Sequence, residues 1–312
     1  MSAAPPLTIG LPVYNGENFI ASALGSLLDQ TFGDFEIIIG DNGSTDRTEE
    51  ICRAFAASDT RISYTRHDTN LGAAANYNFV LDQARGDLFK WAAHDDVCLP
   101  HYLEECIAVL EHRPEVVLCH SRSVGIDDRG RVLGVYGHDV PFNDDDVAQR
   151  FWQAISIPHV CISVFGVMRR SILNRTIRHG DWVGADRNLL AQLTLFGKLE
   201  MVADTLFQRR DHAEASIRKF ASEADRLAWF NPALKNKGGC PTWRRWQEYT
   251  KAVLNADLSV NDKTRCSLRL LAWLGANHHT GTPNYRLLFR ELRQRQAKRS
   301  QSSGPQESER PA

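Results

Sequence analysis

The strictest constraint on this chain is the way its first hundred residues alternate between a strand period and a helix period. Leu7-Thr8-Ile9-Gly10-Leu11-Pro12-Val13 is a short apolar run closed by Tyr14-Asn15-Gly16, a strand ending in a turn. Phe19, Ile20, Ala23, Leu24, Leu27 and Leu28 then recur at helical spacing, as the apolar stripe of one face. Phe35 to Gly40 is a continuous, β-branched run suited to burial on both faces. Asp41-Asn42-Gly43-Ser44-Thr45-Asp46 breaks it, and Ser44 or Thr45 is expected to cap the helix running through Ile51 and Phe55. A third strand is predicted over 61–66, a third helix over 71–84 and a fourth strand over 87–93. Strands separated by helices at this spacing imply right-handed crossovers and an open, mostly parallel α/β sheet flanked by helices.

Further along, the pattern predicts a helix over 100–112, a strand over 116–121, and a turn at Ile126-Asp127-Asp128-Arg129-Gly130 leading into a strand over 131–135. A helix over 147–155, a strand over 163–168 and a helix over 186–196 follow. From Ala221 onward the chain reads as helices, broken at Asn231-Pro232 and at Lys237-Gly238-Gly239-Cys240-Pro241. The tail from about Gln296 is Ser, Gln, Pro and charge, a composition that buries no core and reads as disordered.

Composition narrows the function. Thirty-seven Lys and Arg against thirty-eight Asp and Glu leave no chain-wide basic footprint, so nucleic acid is not expected as a partner. Seven cysteines without paired spacing argue against a disulfide framework or a structural zinc site. No signal-peptide pattern opens the chain and no apolar run is long enough to span a bilayer, which predicts a cytoplasmic protein.

Three loops leave the carboxyl ends of the early strands: Tyr14-Asn15-Gly16-Glu17, Asp41 to Asp46, and His94-Asp95-Asp96. In an open parallel sheet, ligands bind along that edge. Asn, Asp and Gly are also simply turn formers, and Asp46, just ahead of a helix, is explained by turn formation or capping. Asp95 and Asp96 are less easily dismissed, because adjacent acids at the end of a buried strand repel unless a cation separates them. Mg²⁺ or Mn²⁺ suits such oxygen ligands and commonly shares them with substrate phosphates. Neither a P-loop nor a GxGxxG fingerprint is present, so phosphates must be held by metal and side chains.

At this point the motifs resemble a known family. Pro12-Val13-Tyr14-Asn15-Gly16-Glu17, Gln30-Thr31-Phe32 ahead of Phe35-Glu36-Ile37-Ile38-Ile39, the Asp41 to Asp46 loop, Asn70-Leu71-Gly72 and the run Ala84 to Asp87 resemble, in order, the signatures of family 2 glycosyltransferases. His94-Asp95-Asp96 stands where that family keeps its DxD-type motif, with His94 in place of the first acid. The resemblance runs from about Leu7 to Ile217. It implies a GT-A (nucleotide-diphospho-sugar transferase) fold and an inverting, metal-dependent hexosyl or deoxyhexosyl transfer from a UDP-, dTDP- or GDP-linked donor. A saccharide or lipid-linked saccharide acceptor in cell-envelope or surface glycan synthesis is implied as well.

Carried over residue by residue, the resemblance puts Pro12, Tyr14 and Glu17 at the nucleotide, Asp41 at the base, Asn70 with the donor, Asp95 near the ribose or sugar, and Asp96 on the Mn²⁺ or Mg²⁺. The family's third helix often opens Gly-x-x-x-Ala-Arg-Asn. Here it is Gly72-Ala73-Ala74-Ala75-Asn76-Tyr77-Asn78, with Asn76 read as replacing the arginine that faces the donor. Gly184-Ala185-Asp186 resembles the Glu-Asp motif at a helix start, which makes Asp186 the expected base on the acceptor hydroxyl and Asp181 the runner-up. On the residues alone, Asp186 is read first as a helix N-terminal acid. Arg209-Arg210-Asp211-His212 resembles a later Arg-x-His stretch, placing Arg210 on phosphate and His212 on the metal or against the diphosphate.

These expectations divide the chain into a catalytic unit over 1–217, its nucleotide-sugar half at about 1–97 and its acceptor half at about 98–217. A helical extension over 218–295 and a disordered tail over 296–312 complete it. The acceptor is expected in the irregular region from Val140 to Trp182. Thr242-Trp243-Arg244-Arg245-Trp246 has the outline of a synthase QxxRW motif without its glutamine, and is read as aromatic packing. Residues 263–299 hold nine Lys or Arg against Glu291 with interleaved leucines, either a packed helix face or a peripheral contact with the inner face of the plasma membrane. The rival class is a non-catalytic nucleotide-sugar-binding protein on the same fold.

Overall fold

The structure, a computed structural model, describes residues 4–135, 140–220, 222–234 and 241–277. The tail and most of the basic stretch, from 278 on, lie outside the described residues. Strands are β1 (Leu7–Val13), β2 (Phe35–Asp41), β3 (Ile62–Arg66), β4 (Leu88–Trp91), β5 (Val97–Cys98), β6 (Val116–Ile126), β7 (Val132–Val135), β8 (Val167–Arg169) and β9 (Lys198–Arg210). Helices are α1 (Ile20–Leu28), α2 (Thr48–Ser58), α3 (Ala73–Asp82), α4 (Tyr102–His112), α5 (Val147–Ser156), α6 (Arg170–Leu173), α7 (Ala185–Leu193), α8 (Ser216–Lys219), α9 (Glu223–Phe230), α10 (Pro241–Asn255) and α11 (Val260–Asn277).

The strands form one sheet in the order β3-β2-β1-β4-β8-β6-β9-β5, with β7 added to β6. The first four strands pair in parallel, as the alternation of the sequence requires. Beyond β4 the sheet is mixed: β8 runs antiparallel to β4 and β6, β9 runs parallel to β6, and β5 closes antiparallel on β9. All seven residues of β1 and of β2 are buried, which is what continuous apolar strands with helices on both faces demand. Pro12 is tolerated in this central strand because the ladder with β4 has already ended at Gly10.

Side chains of β2 alternate between two cores. Ile37 and Ile39 join Leu24, Tyr102 and Leu103 of α1 and α4 on one face. Ile38 joins Val80, Trp91, Phe151, Leu189, Tyr249 and Trp273 on the other. The C-terminal helices are therefore part of the second core: α11 packs on α5, and Trp273 Nε1 donates to the Ile155 carbonyl at 2.9 Å.

Two local expectations are corrected. Over 163–168 the chain forms a 3-10 turn at Ile162–Phe165 and only then the short β8. The N-cap of α2 is Arg47 with no side-chain cap; the Ser44 hydroxyl instead accepts from Asn15 N, so it joins two loops.

Candidate active site

A cavity of about 840 Å³ opens where β1, β2 and β4 end, floored by residues 93–96 and the end of β9. Its first wall is built by loops sewn to one another. Asn15, held at φ +52°, donates its N–H to Ser44 Oγ at 2.9 Å and accepts from Thr45 N at 2.8 Å. Gly16 N donates to Thr48 Oγ1 at 2.8 Å, Glu17 N to Asp46 Oδ2 at 3.1 Å, and Arg47 N to Glu17 Oε2 at 3.1 Å. Burial would raise the Asp46 carboxyl, but the Thr48 hydroxyl and three backbone N–H groups outweigh it and hold the group below its ordinary range. A side chain at Gly16 would meet the His94 ring at 2.8 Å, so this glycine lets the first and third loops touch.

Pro12, Tyr14, Glu17, Asn70 and Asn76 all line the cavity. Asp41 does not. It is fully buried, with Oδ1 accepting from Ser44 N at 2.8 Å and Oδ2 from Tyr64 Oη at 2.7 Å, so it braces the loop from behind. Its neighbour Asn42 reaches the wall and is tied to Asn70 and to Leu71 N, each at 2.9 Å. Asn76 is 2% exposed and donates to the Gly40 carbonyl at 2.6 Å, locking α3 to β2. The motif register is also corrected: in Gly72-x-x-x-Ala-Arg-Asn order the arginine position falls on Tyr77, which lines the cavity too.

The floor is the acid pair. Asp95 Oδ2 lies 2.9 Å from His212 Nε2, and Asp96 Oδ1 accepts from Arg210 N at 2.9 Å. His212 thus sits on Asp95 rather than joining Asp96. The Arg210 guanidinium is largely spent on carbonyls, those of Asp95 and Asp127 at 2.9 Å, and packs over the Phe19 ring. It positions the floor, and both Arg209 and Arg210 line the cavity. Burial and the charge of Asp95 push the Asp96 carboxyl up to about 7. Burial acts on Asp95 as well, but His94 and His212 outweigh it and keep that carboxyl below its ordinary range.

Two adjacent carboxylates that resist ionising together, beside an imidazole, are a donor set suited to a hard divalent cation. No group of three or more His, Cys, Asp or Glu is poised as a metal cage among the described residues. The fit is therefore to an ion held by one or two carboxylates, with substrate phosphates completing its shell.

Asp186 stands in the first turn of α7 after Gly184, which is held at φ +88°. It is not part of the cavity lining, and its Oδ1 accepts from Arg187 N at 2.8 Å. Its charge acts on Cys161, His179 and Tyr77. Asp181 accepts from Asn231 Nδ2 at 3.0 Å and is likewise off the wall.

The second wall lies where the sequence did not point. Of residues 140–182, Phe165 reaches the cavity; the wall is made instead by Glu214, Lys219, Phe220, Asp225, Trp229 and Pro232. Lys219 pairs with Glu214 at 2.5 Å, and Ser222 Oγ accepts from Asp225 N at 3.0 Å, capping α9. Trp229 stacks on Phe220 with ring centroids 5.9 Å apart and meets Phe230 edge-on at 4.7 Å. The helix itself is expected from the sequence, and the serine–acid pair ahead of Leu227, Trp229 and Phe230 is the capping signature that fixes its start.

With this geometry in view, the chain matches the family model described as glycosyl transferase family 2 over residues 8–176. A curated relative, the putative glycosyltransferase EpsH of Bacillus subtilis, is 28% identical over 208 residues, which is 67% of this chain and 56% of that protein. The matched region thus spans little more than half of that relative's own length. Among solved structures, Staphylococcus aureus TarS 1–349 aligns at a TM-score of 0.62 and 17% identity, covering 88% of this chain and 72% of that one. The same protein is known in complex with UDP-GlcNAc. A mannosyltransferase from Pyrobaculum calidifontis, solved with GDP-Man and Mn²⁺, aligns at a TM-score of 0.52 and 16% identity, covering 93% of this chain and 80% of that one.

Proposed function

Because the chain belongs to glycosyl transferase family 2 and has the GT-A fold, we propose that it transfers a sugar from a nucleoside-diphosphate donor to an acceptor hydroxyl by one inverting displacement. The observation that carries this reading is the acid pair Asp95-Asp96 on the floor of a cavity walled by the β1, β2 and β4 loops. In it, the nucleoside lies along Tyr14, Asn42 and Asn70, and the diphosphate over the floor. Mn²⁺ or Mg²⁺ on Asp96 and Asp95 would offset the charge that builds on the departing diphosphate. That an aligned fold is known with UDP-GlcNAc and another with GDP-Man and Mn²⁺ supports such a donor and such a metal.

His212 fixes Asp95 through their 2.9 Å contact, and Arg210 fixes Asp96 through its backbone N–H. Asp186 takes the acceptor proton in this reading, with the acceptor, a saccharide or lipid-linked saccharide of surface glycan synthesis, entering along α9 and Trp229. The rival, a non-catalytic binder of nucleotide sugars, is favoured by one observation: Asp186 is off the cavity wall. Acceptor-independent hydrolysis of UDP-GlcNAc or GDP-mannose in the presence of Mn²⁺ separates the two. Turnover that disappears in Asp96→Asn supports the enzyme; binding without any turnover supports the rival.

No described helix is long and apolar enough to cross a membrane. The described part of the basic stretch buries Cys266, Leu270 and Trp273 and lends Arg265 to Asp146 and Arg269 to Gln149, while Leu268 and Leu271 stay exposed. We place a peripheral contact with the cytoplasmic leaflet on that exposed face.

A further inference from the structure

Tyr77 belongs to the cavity wall, yet no role in the reaction has been given to it. Its ring is clamped: it lies 4.4 Å from the His179 ring and 6.0 Å from that of Trp91, between centroids. Its carbonyl accepts from Trp91 Nε1 at 3.0 Å, so the start of α3 and the end of β4 hold it together. Its hydroxyl is a different matter. Tyr64 spends its hydroxyl on Asp41 and Tyr102 on the Phe165 carbonyl, but the Tyr77 hydroxyl makes no hydrogen bond among the described residues. A rigid ring carrying an unspent polar tip, in a wall with room beside it, is placed to meet a ligand.

The direction of that ligand follows from what holds the ring, and the surrounding charges agree with it. Burial comes first, and then the carboxylates of Asp95, Asp96 and Asp186, in keeping the phenol protonated. The first two acids belong to the floor and the third to the start of α7. In a single displacement the transferred sugar lies between the diphosphate at the floor and the acceptor hydroxyl at the base. Trp91, on one side of the ring, ends the strand that runs into the floor, and His179, on the other, belongs to the segment that leads into α7, so Tyr77 stands beside that sugar. It is an uncharged O–H donor at the position where the family resemblance expects an arginine, so it suits a sugar hydroxyl better than a phosphate.

We propose that Tyr77 contacts the transferred sugar, its phenolic hydroxyl donating a hydrogen bond to one of the sugar's hydroxyl groups. This inference rests on the transferase reading and adds to it a residue that reads the sugar rather than the nucleotide.

Tyr77→Phe removes the hydroxyl and keeps the ring on His179 and Trp91, so the fold is retained. The probes are UDP, UDP-GlcNAc, GDP and GDP-mannose, each titrated with Mn²⁺ into the full chain and the variant. The expected result is a nucleoside diphosphate held within about twofold of wild type while its sugar nucleotide weakens about tenfold, as for one lost hydrogen bond to a buried polar group. Equal affinity of variant and wild type for the sugar nucleotide overturns the proposal. A parallel loss for the nucleoside diphosphate also overturns it, because the hydroxyl would then serve the nucleotide pocket or the fold. If wild type binds none of the four, it is the transferase reading that fails, a separable outcome.

Discussion

The two walls of the cavity are built on different physical principles. The wall from the β1 and β2 loops is stitched by backbone N–H groups donating to side-chain oxygens of the neighbouring loop, at Asn15, Gly16, Glu17 and Arg47. The wall from 214–232 is held by ring stacking of Phe220, Trp229 and Phe230 and by the cap at Ser222. The first geometry is over-determined and suits a ligand part common to many transferases, the nucleoside diphosphate. The second depends on a few side chains, and in the proposed reading it is the wall that meets the acceptor. The walls touch at Gly72, where a Cβ would come within 2.5 Å of the Phe230 carbonyl.

The comparison breaks most decisively at the floor the walls share. Asp95→Asn should lower donor turnover by about a hundredfold or more, the scale of a lost electrostatic contact in a preorganised site, with the thermal midpoint nearly unchanged. A smaller drop, measured by release of free sugar from UDP-GlcNAc or GDP-mannose, would move the chemistry elsewhere.

Gly72→Ala tests the junction. At φ +89° and with the Phe230 carbonyl in the way, it should cost about 1–3 kcal/mol and loosen α9 from α3. Chemical denaturation gives the cost. Hydrogen exchange should show α9 amides opening ahead of those in the 14–17 loop.

The stitches are tested singly by Thr48→Ala, which leaves the buried Gly16 N–H without its acceptor at a cost of about 1–3 kcal/mol. Nucleoside-diphosphate affinity should fall, while any ligand held by Trp229 alone is unaffected. Titration calorimetry on the two ligand classes separates these effects.

Acid sensitivity separates the two halves as well, because the stitched half carries a buried carboxylate, Glu36, paired with the exposed Arg85. Burial would raise the Glu36 carboxyl, but Arg85 and Thr8 outweigh it and hold it below its ordinary value. A carboxyl lower in the folded than in the unfolded state stabilises fully above its unfolded pKa of about 4.3. That stability is lost as pH falls from there through the folded value. Glu36→Gln should therefore flatten the acid limb of a stability-versus-pH curve, and an unchanged limb would contradict the assignment. The smallest effect is expected for Leu268→Ser with Leu271→Ser, which should reduce flotation with anionic liposomes and leave donor turnover alone.

The first wall was legible because its strands are unbroken apolar runs and its loops carry the turn residues that stop them. The floor was half legible. Asp95 and Asp96 stand out as adjacent acids, but their fixing by Arg210 and His212 depends on β9, thirteen residues whose burial follows no regular alternation. Its ladder with β6 shifts register more than once, and its far side is covered by the two-residue β5 only near Phe207 and Gln208. No period of two survives that geometry. Asp41 looked like a ligand because polar residues at a strand end always do; only the tertiary positions of Ser44 N and Tyr64 Oη show it facing inward. The second wall escaped notice because Phe220, Trp229 and Phe230 read in sequence as ordinary helix apolars.

In the proposed reading, Asp95 and Asp96 hold a nucleoside diphosphate through a divalent cation. The most direct test is calorimetric titration of UDP and GDP into wild type and Asp96→Asn, with and without Mn²⁺. One nucleotide should bind wild type tightly only with the metal, and the variant should lose this metal-dependent part. Equal binding without Mn²⁺, or undiminished metal-dependent binding in the variant, would contradict it.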